Sequence, residues 1–168
     1  MANRDQTYVY LALGSNLGDR RENLHKALKE LSAQVSIKKI SSIYETPPWG
    51  YVDQPVFYNM VICGYTLLNP VQLLDFVKTI EHEMGRINTF RNGPRVIDID
   101  ILLFGEQKVN LENLEIPHPR MLERGFVLQP LAEIEPNLVI PGTKTRVLDF
   151  LQKIDQTGIQ KLDSEKNN

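Results

Sequence analysis

The chain has 168 residues and a formal charge of −2, from 19 Lys and Arg against 21 Asp and Glu. That is enough chain for one domain with a sizeable core, and the balance excludes the basic footprint of a non-specific nucleic-acid binder. The one cysteine, Cys63, excludes an intrachain disulfide, and no apolar run approaches the length that crosses a bilayer.

The N-terminal residues lack the apolar stretch of a signal peptide. The expectation is a soluble, cytoplasmic protein of one domain (1–168), with an ordered core over about residues 6–155 and a polar tail that frays from Gln156 onward. Tyr8 to Leu13 reads as a strand ending at Gly14-Ser15-Asn16, and Leu24, Ala27, Leu28 and Leu31 then fall at helical spacing. Val35 to Tyr44 is a second extended segment, closed by Thr46-Pro47-Pro48-Trp49-Gly50. Phe57 to Leu68 is a third, with Cys63 in its apolar centre as a buried structural thiol. Asn69-Pro70 is a helix start, an N-cap with proline at the first helical position, and Leu73, Leu74, Val77, Ile80 and Met84 continue the helix to Gly85. A last strand runs from about Val96 to Phe104, turns at Gly105-Glu106 and returns through Val109. The order β-α-β-β-α-β is ferredoxin-like, an α+β fold with helices on one face of an antiparallel sheet. The remaining third adds peripheral strands and short helices.

The densest chemistry lies in the last strand. Asp98 and Asp100 are two residues apart, so they share a face while Ile97, Ile99 and Ile101 take the other. Their backbone origins are about 6.6 Å apart, close enough to converge on one ligand. Two such charges suit a hard divalent cation such as Mg²⁺, which fills its other positions with water and phosphate oxygens. The competing reading is a solvated face that carries two acids. Arg86, Arg91 and Arg95 flank the pair and Arg124 follows later; arginines neutralise carboxylates and also grip phosphate oxygens bidentately. His118, set between Pro117 and Pro119, is held in a rigid turn. The proline-stiffened segment 46–59 concentrates Trp49, Tyr51, Phe57 and Tyr58, and a planar heterocycle could stack on Phe57 with the Asn59 amide at its edge. These aromatics also suit simple anchoring of a loop. Gly14-Ser15-Asn16-Leu17-Gly18-Asp19 lacks the lysine of a phosphate loop and reads as a strand-to-helix turn.

Six blocks carry a resemblance that covers roughly residues 8 to 141. They are Leu13-Gly14-Ser15-Asn16-Leu17-Gly18, Thr46-Pro47-Pro48, Gln54-Pro55 with Phe57 and Asn59, Gly93-Pro94-Arg95 running into Asp98-Ile99-Asp100-Ile101, Pro117-His118, and Arg124-Gly125-Phe126. In this combination the chain resembles the 6-hydroxymethyl-7,8-dihydropterin pyrophosphokinase family of folate biosynthesis. The resemblance implies an ATP-dependent diphosphokinase that transfers pyrophosphate to the pterin hydroxymethyl oxygen and releases AMP. It implies two Mg²⁺ ions on Asp98 and Asp100, and a pterin stacked between Phe57 and Phe126 with Asn59 and the Thr46, Pro47, Pro48 and Trp49 region completing its pocket. It implies ATP contacts from Glu81, Arg86, Arg91, Arg95, Ile101, His118 and Arg124, of which the four arginines are catalytic. Small-molecule substrates follow, with neither nucleic acid nor membrane as partner, and a monomer is expected. The alternatives are magnesium-dependent phosphoryl transfer to another flat heterocyclic alcohol, and a non-catalytic ferredoxin-like binding module. Asn92 stands where the family often has an aromatic residue and Asn88 where an arginine occurs, in an arginine loop about one residue short of some relatives. Pro119 replaces an aromatic residue of others.

Overall fold

The computed structural model describes residues 5–48, 50, 52–85 and 93–162. Trp49, Arg86, Asn88, Arg91 and Asn92 therefore lie outside the described residues, as does Tyr51.

Strand β1 (Thr7–Ser15) lies inside the sheet, antiparallel to β4 (Phe57–Thr66) on one side and to β5 (Asp98–Phe104) on the other. The extended segment expected over 35–44 is two strands, β2 (Val35–Ile40) and β3 (Tyr44–Thr46), both laid along the far edge of β4. The break has a local cause. Ser41 N donates to Val61 O at 2.9 Å, but Val61 N returns its bond to the Ser41 hydroxyl, also at 2.9 Å. A side-chain oxygen thus stands where a backbone carbonyl would continue the ladder. With β2 and β3 taken as one interrupted strand, the order β5-β1-β4-β3 with antiparallel pairing is the ferredoxin-like α+β arrangement.

Helices α1 (Arg20–Leu31) and α2 (Pro70–Glu83) cover one face. Asp19 caps α1 by accepting from Glu22 N at 3.1 Å. Asn69 and Gln72 cap α2 reciprocally, with bonds of 2.8 and 2.9 Å between each side chain and the other's backbone N–H. Leu24, Ala27, Leu31, Leu73, Val77 and Ile80 from these helices meet Val9, Leu11, Leu13, Ile62, Ile99 and Ile101 from the sheet.

The other face is not open, contrary to the one-sided arrangement expected. The last third of the chain supplies α3 (Gly125–Ile134) and α4 (Val147–Gln152), which bury Tyr10, Val61, Cys63, Leu102 and Leu103 in a second core. Cys63 is a buried thiol there, 2.9 Å from the Tyr8 hydroxyl. A bulge in β5 serves both cores. Tyr10 pairs with Leu103 and Leu11 with Ile101, so Leu102 is an extra residue. Leu102 and Leu103 consequently both enter the second core, and Phe104 returns to the first.

After the turn at Gly105 the chain does not run back along β5. Val109 opens β6 (Val109–Leu111), which pairs with β7 (Leu114–Ile116) in a separate two-stranded hairpin. The tail also departs from expectation. Within it, β8 (Gln160–Lys161) adds to the outer edge of β3. No helix among the described residues is long and apolar enough to cross a membrane.

Candidate active site

Helices α3 and α4 cover only part of their face, and the uncovered part carries the polar residues. One row across the sheet reads Asp98 on β5, Gly14 on β1, Asn59 on β4 and Tyr44 on β3. Gly14 lacks a side chain between an acid and an amide, which leaves a notch. At about 4.8 Å per strand, Asp98 and Asn59 originate roughly 10 Å apart. A Cβ at Gly14 would lie 2.5 Å from Asn59 Oδ1 and 3.6 Å from the Phe57 ring.

Asn59 is buried, and its Nδ2 donates to Thr46 Oγ1 at 2.6 Å. That bond fixes the amide while its oxygen and second N–H remain for a planar ligand edge. The pocket over the notch is lined by Gly14, Thr46, Pro47, Phe57, Asn59, Arg95, Asp98, Arg124 and Phe126. Pro48 is not among these lining residues.

The carboxylates face this pocket and a second depression beside it. Arg95 Nη1 lies 2.8 Å from Asp98 Oδ2. Asp100 Oδ2 is 3.8 Å from Arg124 Nη1 and 4.0 Å from His118 Nε2. Burial and the adjacent Asp98 charge push the Asp100 carboxyl well above the usual carboxylate range, against the pull of Arg124. A cation held by both acids would relieve that conflict. Among the described residues no cluster of three His, Cys, Asp or Glu completes a protein-only metal cage. Two carboxylate oxygens with the rest of the sphere left to water and phosphate is the donor chemistry that suits magnesium.

His118 is held by two bonds: its N–H donates to Leu102 O at 2.9 Å, and its Nδ1 accepts from Arg120 N at 3.1 Å. Burial, assisted by the Arg124 charge, lowers its pKa to about 4. The ring is therefore neutral at pH 7, and acceptance at Nδ1 puts its proton on Nε2, the atom nearest Asp100. Arg124 precedes α3 and its guanidinium carbon lies 5.4 Å from the Phe126 ring centre.

The second depression is lined by Leu74, Lys78, Ile99, Asp100, Ile101, the 111–115 hairpin, His118 and Pro119. Glu81 lines neither pocket. It is buried in α2, where its Oε2 accepts from Ile99 N at 3.0 Å and its Oε1 lies 3.1 Å from Lys78 Nζ. Glu81 thus satisfies an outward N–H of β5, the sheet's edge strand, beside the aspartates.

Three further residues organise the site without standing out in the sequence. Asn16, buried in the Gly-Ser-Asn turn, donates from Nδ2 to Gln54 Oε1 (2.8 Å) and to Pro55 O (3.0 Å). Gln54 thereby joins the segment before Phe57 to that turn. Arg20 donates to Val56 O at 2.9 Å and lies over the Tyr58 ring at 3.9 Å from its centre. The preference of asparagine for turns and its place in a family block were the signs for Asn16, and neither specifies partners so distant in sequence.

Comparison with known proteins agrees with this geometry. Residues 10–136 match the family model described as 7,8-dihydro-6-hydroxymethylpterin-pyrophosphokinase (HPPK). The 2-amino-4-hydroxy-6-hydroxymethyldihydropteridine pyrophosphokinase of Bacillus subtilis is 53% identical over 128 residues, covering 75% of this chain and 77% of that protein. The protein of the same name from Methylorubrum extorquens is 44% identical over 159 residues, 94% of this chain and 99% of the relative. The folic acid synthesis protein FOL1 of Dictyostelium discoideum is 49% identical over 140 residues, 83% of this chain, which spans only 21% of that longer protein. Among solved structures, the wild-type HPPK-DHPS of Plasmodium falciparum with pterin and p-hydroxybenzoate superposes with a TM-score of 0.72 at 18% identity. It covers 91% of this chain and 42% of its own, and it shares the fold.

Proposed function

The chain belongs to the 7,8-dihydro-6-hydroxymethylpterin-pyrophosphokinase family, and from that premise we propose that it transfers pyrophosphate from ATP to the hydroxymethyl group of 6-hydroxymethyl-7,8-dihydropterin, releasing AMP, in folate biosynthesis. One observation carries the assignment of the site: Asp98 lines the aromatic pocket and Asp100 lines the adjoining depression, so one strand face joins two binding spaces.

In this reading the pterin stacks between Phe57 and Phe126, with Thr46 and Pro47 lining its surround and Pro48 and Trp49 assigned to it on the family resemblance alone. The Asn59 amide presents an acceptor and a donor to the pterin edge, held in register by Thr46. ATP occupies the depression beside Ile101 and His118, with Glu81 bracing the strand beneath it. Asp98 and Asp100 would hold two Mg²⁺ ions, which would supply neutralisation of the phosphate charge and in-line orientation. Arg95 and Arg124 both line the aromatic pocket, beside Asp98 and Asp100, and balance charge that develops on the β-phosphate and the departing AMP oxygen. Arg86 and Arg91 are assigned to the nucleotide phosphates on the family resemblance alone. His118 enters as a neutral Nε2–H donor and not as a base, because its proton affinity is depressed. The chain acts as a single catalytic domain, as a cytoplasmic monomer.

Incubation of the purified protein with Mg²⁺, ATP and 6-hydroxymethyl-7,8-dihydropterin tests this directly. AMP and the pterin diphosphate are the expected products, and ADP in place of AMP overturns the pyrophosphoryl assignment.

A further inference from the structure

The segment that follows α4 touches the back of both walls of the aromatic pocket. On one side, β8 pairs Lys161 with Tyr44 and Gln160 with Glu45, and Leu162 N donates to Ile43 O at 2.9 Å. Gly158 lies so close to Pro47 that a Cβ there would sit 2.9 Å from Pro47 Cγ, and its φ of +82° already favours glycine. On the other side the same segment abuts Gly125, the first residue of α3, which separates Arg124 from Phe126. A Cβ at Gly125 would lie 2.6 Å from Ile159 Cδ1 and 3.3 Å from Asp155 O. Lys161 Nζ, 3.8 Å from Glu133 Oε2, ties the strand to the body of α3 as well. Glu133 also accepts from the Tyr44 hydroxyl.

We infer that residues 154–162 form a strap that sets the separation of the Thr46–Pro47 wall from the Arg124–Phe126 wall, so that Gly158 and Ile159 are positioning residues for the pterin. The inference rests on the pterin-pocket reading above. The two walls come from β3 and from the start of α3, which are far apart in sequence. Close glycine contacts on both sides leave no slack: a displacement of the strap moves Pro47 against Phe57 or tilts Phe126. The strap approaches the pocket from behind and lines neither binding space. On the Gly158 side it meets Pro47, which lines the aromatic pocket and not the depression beside Ile101 and His118, so a change at Gly158 acts on pterin geometry alone.

Gly158→Ala is the test, with Gly142→Ala as its control. Gly142 has an equivalent φ of +84°, but a Cβ there meets only the Lys108 side chain, whose tip can move, away from the site. Both variants carry the left-handed backbone penalty, and Gly158→Ala adds the contact with Pro47, so the difference between them isolates that contact. Gly158→Ala is expected to raise the pterin KM by about tenfold with the ATP KM unchanged, whereas Gly142→Ala leaves both unchanged. Ile159→Ala, which keeps the backbone and removes the support of Gly125, shifts the pterin KM in the same direction and decides the matter if Gly158→Ala does not fold. A pterin KM that moves no further in Gly158→Ala or Ile159→Ala than in Gly142→Ala overturns the strap. Phe126→Ala, run alongside, separates the two levels. If it raises the pterin KM while the strap variants do not, only the strap falls; if it too has no effect, the pocket reading falls and the strap with it.

Discussion

Asn16 and Arg95 hold each other by two bonds, Arg95 N to Asn16 Oδ1 at 2.7 Å and Asn16 N to Arg95 O at 3.0 Å. The second end of the same amide holds Gln54 and Pro55. One buried side chain therefore fixes both the segment entering the aromatic pocket and the arginine beside Asp98. Asn16→Ala is expected to lower stability by about 2 kcal/mol, because three hydrogen bonds of a buried amide are lost together. It should also lower kcat/KM for both substrates. Denaturant titration and steady-state kinetics check the pair of effects; a loss confined to one substrate overturns the shared role.

The aspartates separate catalysis from binding. Asp98→Ala or Asp100→Ala is expected to cut turnover by orders of magnitude with pterin affinity largely kept, since the stacking surfaces and Asn59 are unaltered. Near-normal turnover in either variant counts against a metal site there. Equilibrium binding of the pterin supplies the second half of the comparison.

Stability against pH distinguishes His118 from Asp100. The His118 pKa falls from its ordinary value to about 4, so the folded state binds this proton less readily than the unfolded chain. Its contribution is complete above an unfolded pKa of about 6.5 and is lost as pH falls toward 4, by up to about 3 kcal/mol. Asp100 has the opposite sign. Its raised pKa makes the metal-free protein more stable as pH falls through the folded value, so Asp100→Asn should raise Tm at neutral pH. Because the two groups oppose each other, removing His118 leaves the Asp100 contribution uncompensated: melting curves from pH 7.5 to 4 should show the Tm of His118→Gln rising relative to the parent chain as pH falls.

Gly14 tests the notch. Gly14→Ala forces its Cβ against Asn59 Oδ1 and turns the amide away from the pocket. A rise of about tenfold in pterin KM is expected, with ATP KM little changed. Gly64→Ala, where a Cβ would lie 2.2 Å from Ser36 O on the far part of β4, should reduce Tm without that selective effect on KM.

The local rules of the chain were readable in sequence. Asn69 and Pro70 announce the start of α2, and side-chain alternation places Asp98 and Asp100 on one face. What escaped depends on partners remote in sequence. Ser41 breaks the second extended segment because Val61 offers it both a carbonyl and an N–H. The turn at Gly105 gives no sign of whether the next strand pairs with β5 or with β7. The polar composition of residues 156–162 resembles a frayed end, yet its backbone completes the β3 edge. In the site, Phe57, Asn59 and the aspartates stand out by residue type and Phe126 through the family resemblance, whereas Asn16 and Gly158 act through contacts that no spacing rule encodes.

Leu102 bears on how the chain tolerates deletion. Without it, Tyr10 could still pair with Leu103 and Leu11 with Ile101, because Leu102 is the residue for which β1 has no counterpart. The ladder would close and the flanking side chains would keep their faces. What would disappear is a fully buried side chain of the second core and the carbonyl to which the His118 backbone N–H is anchored, and with it the docking of the imidazole beside Asp100. A single-residue shortening here would spare the pairing of the ladder and be costly in the core and in the reaction.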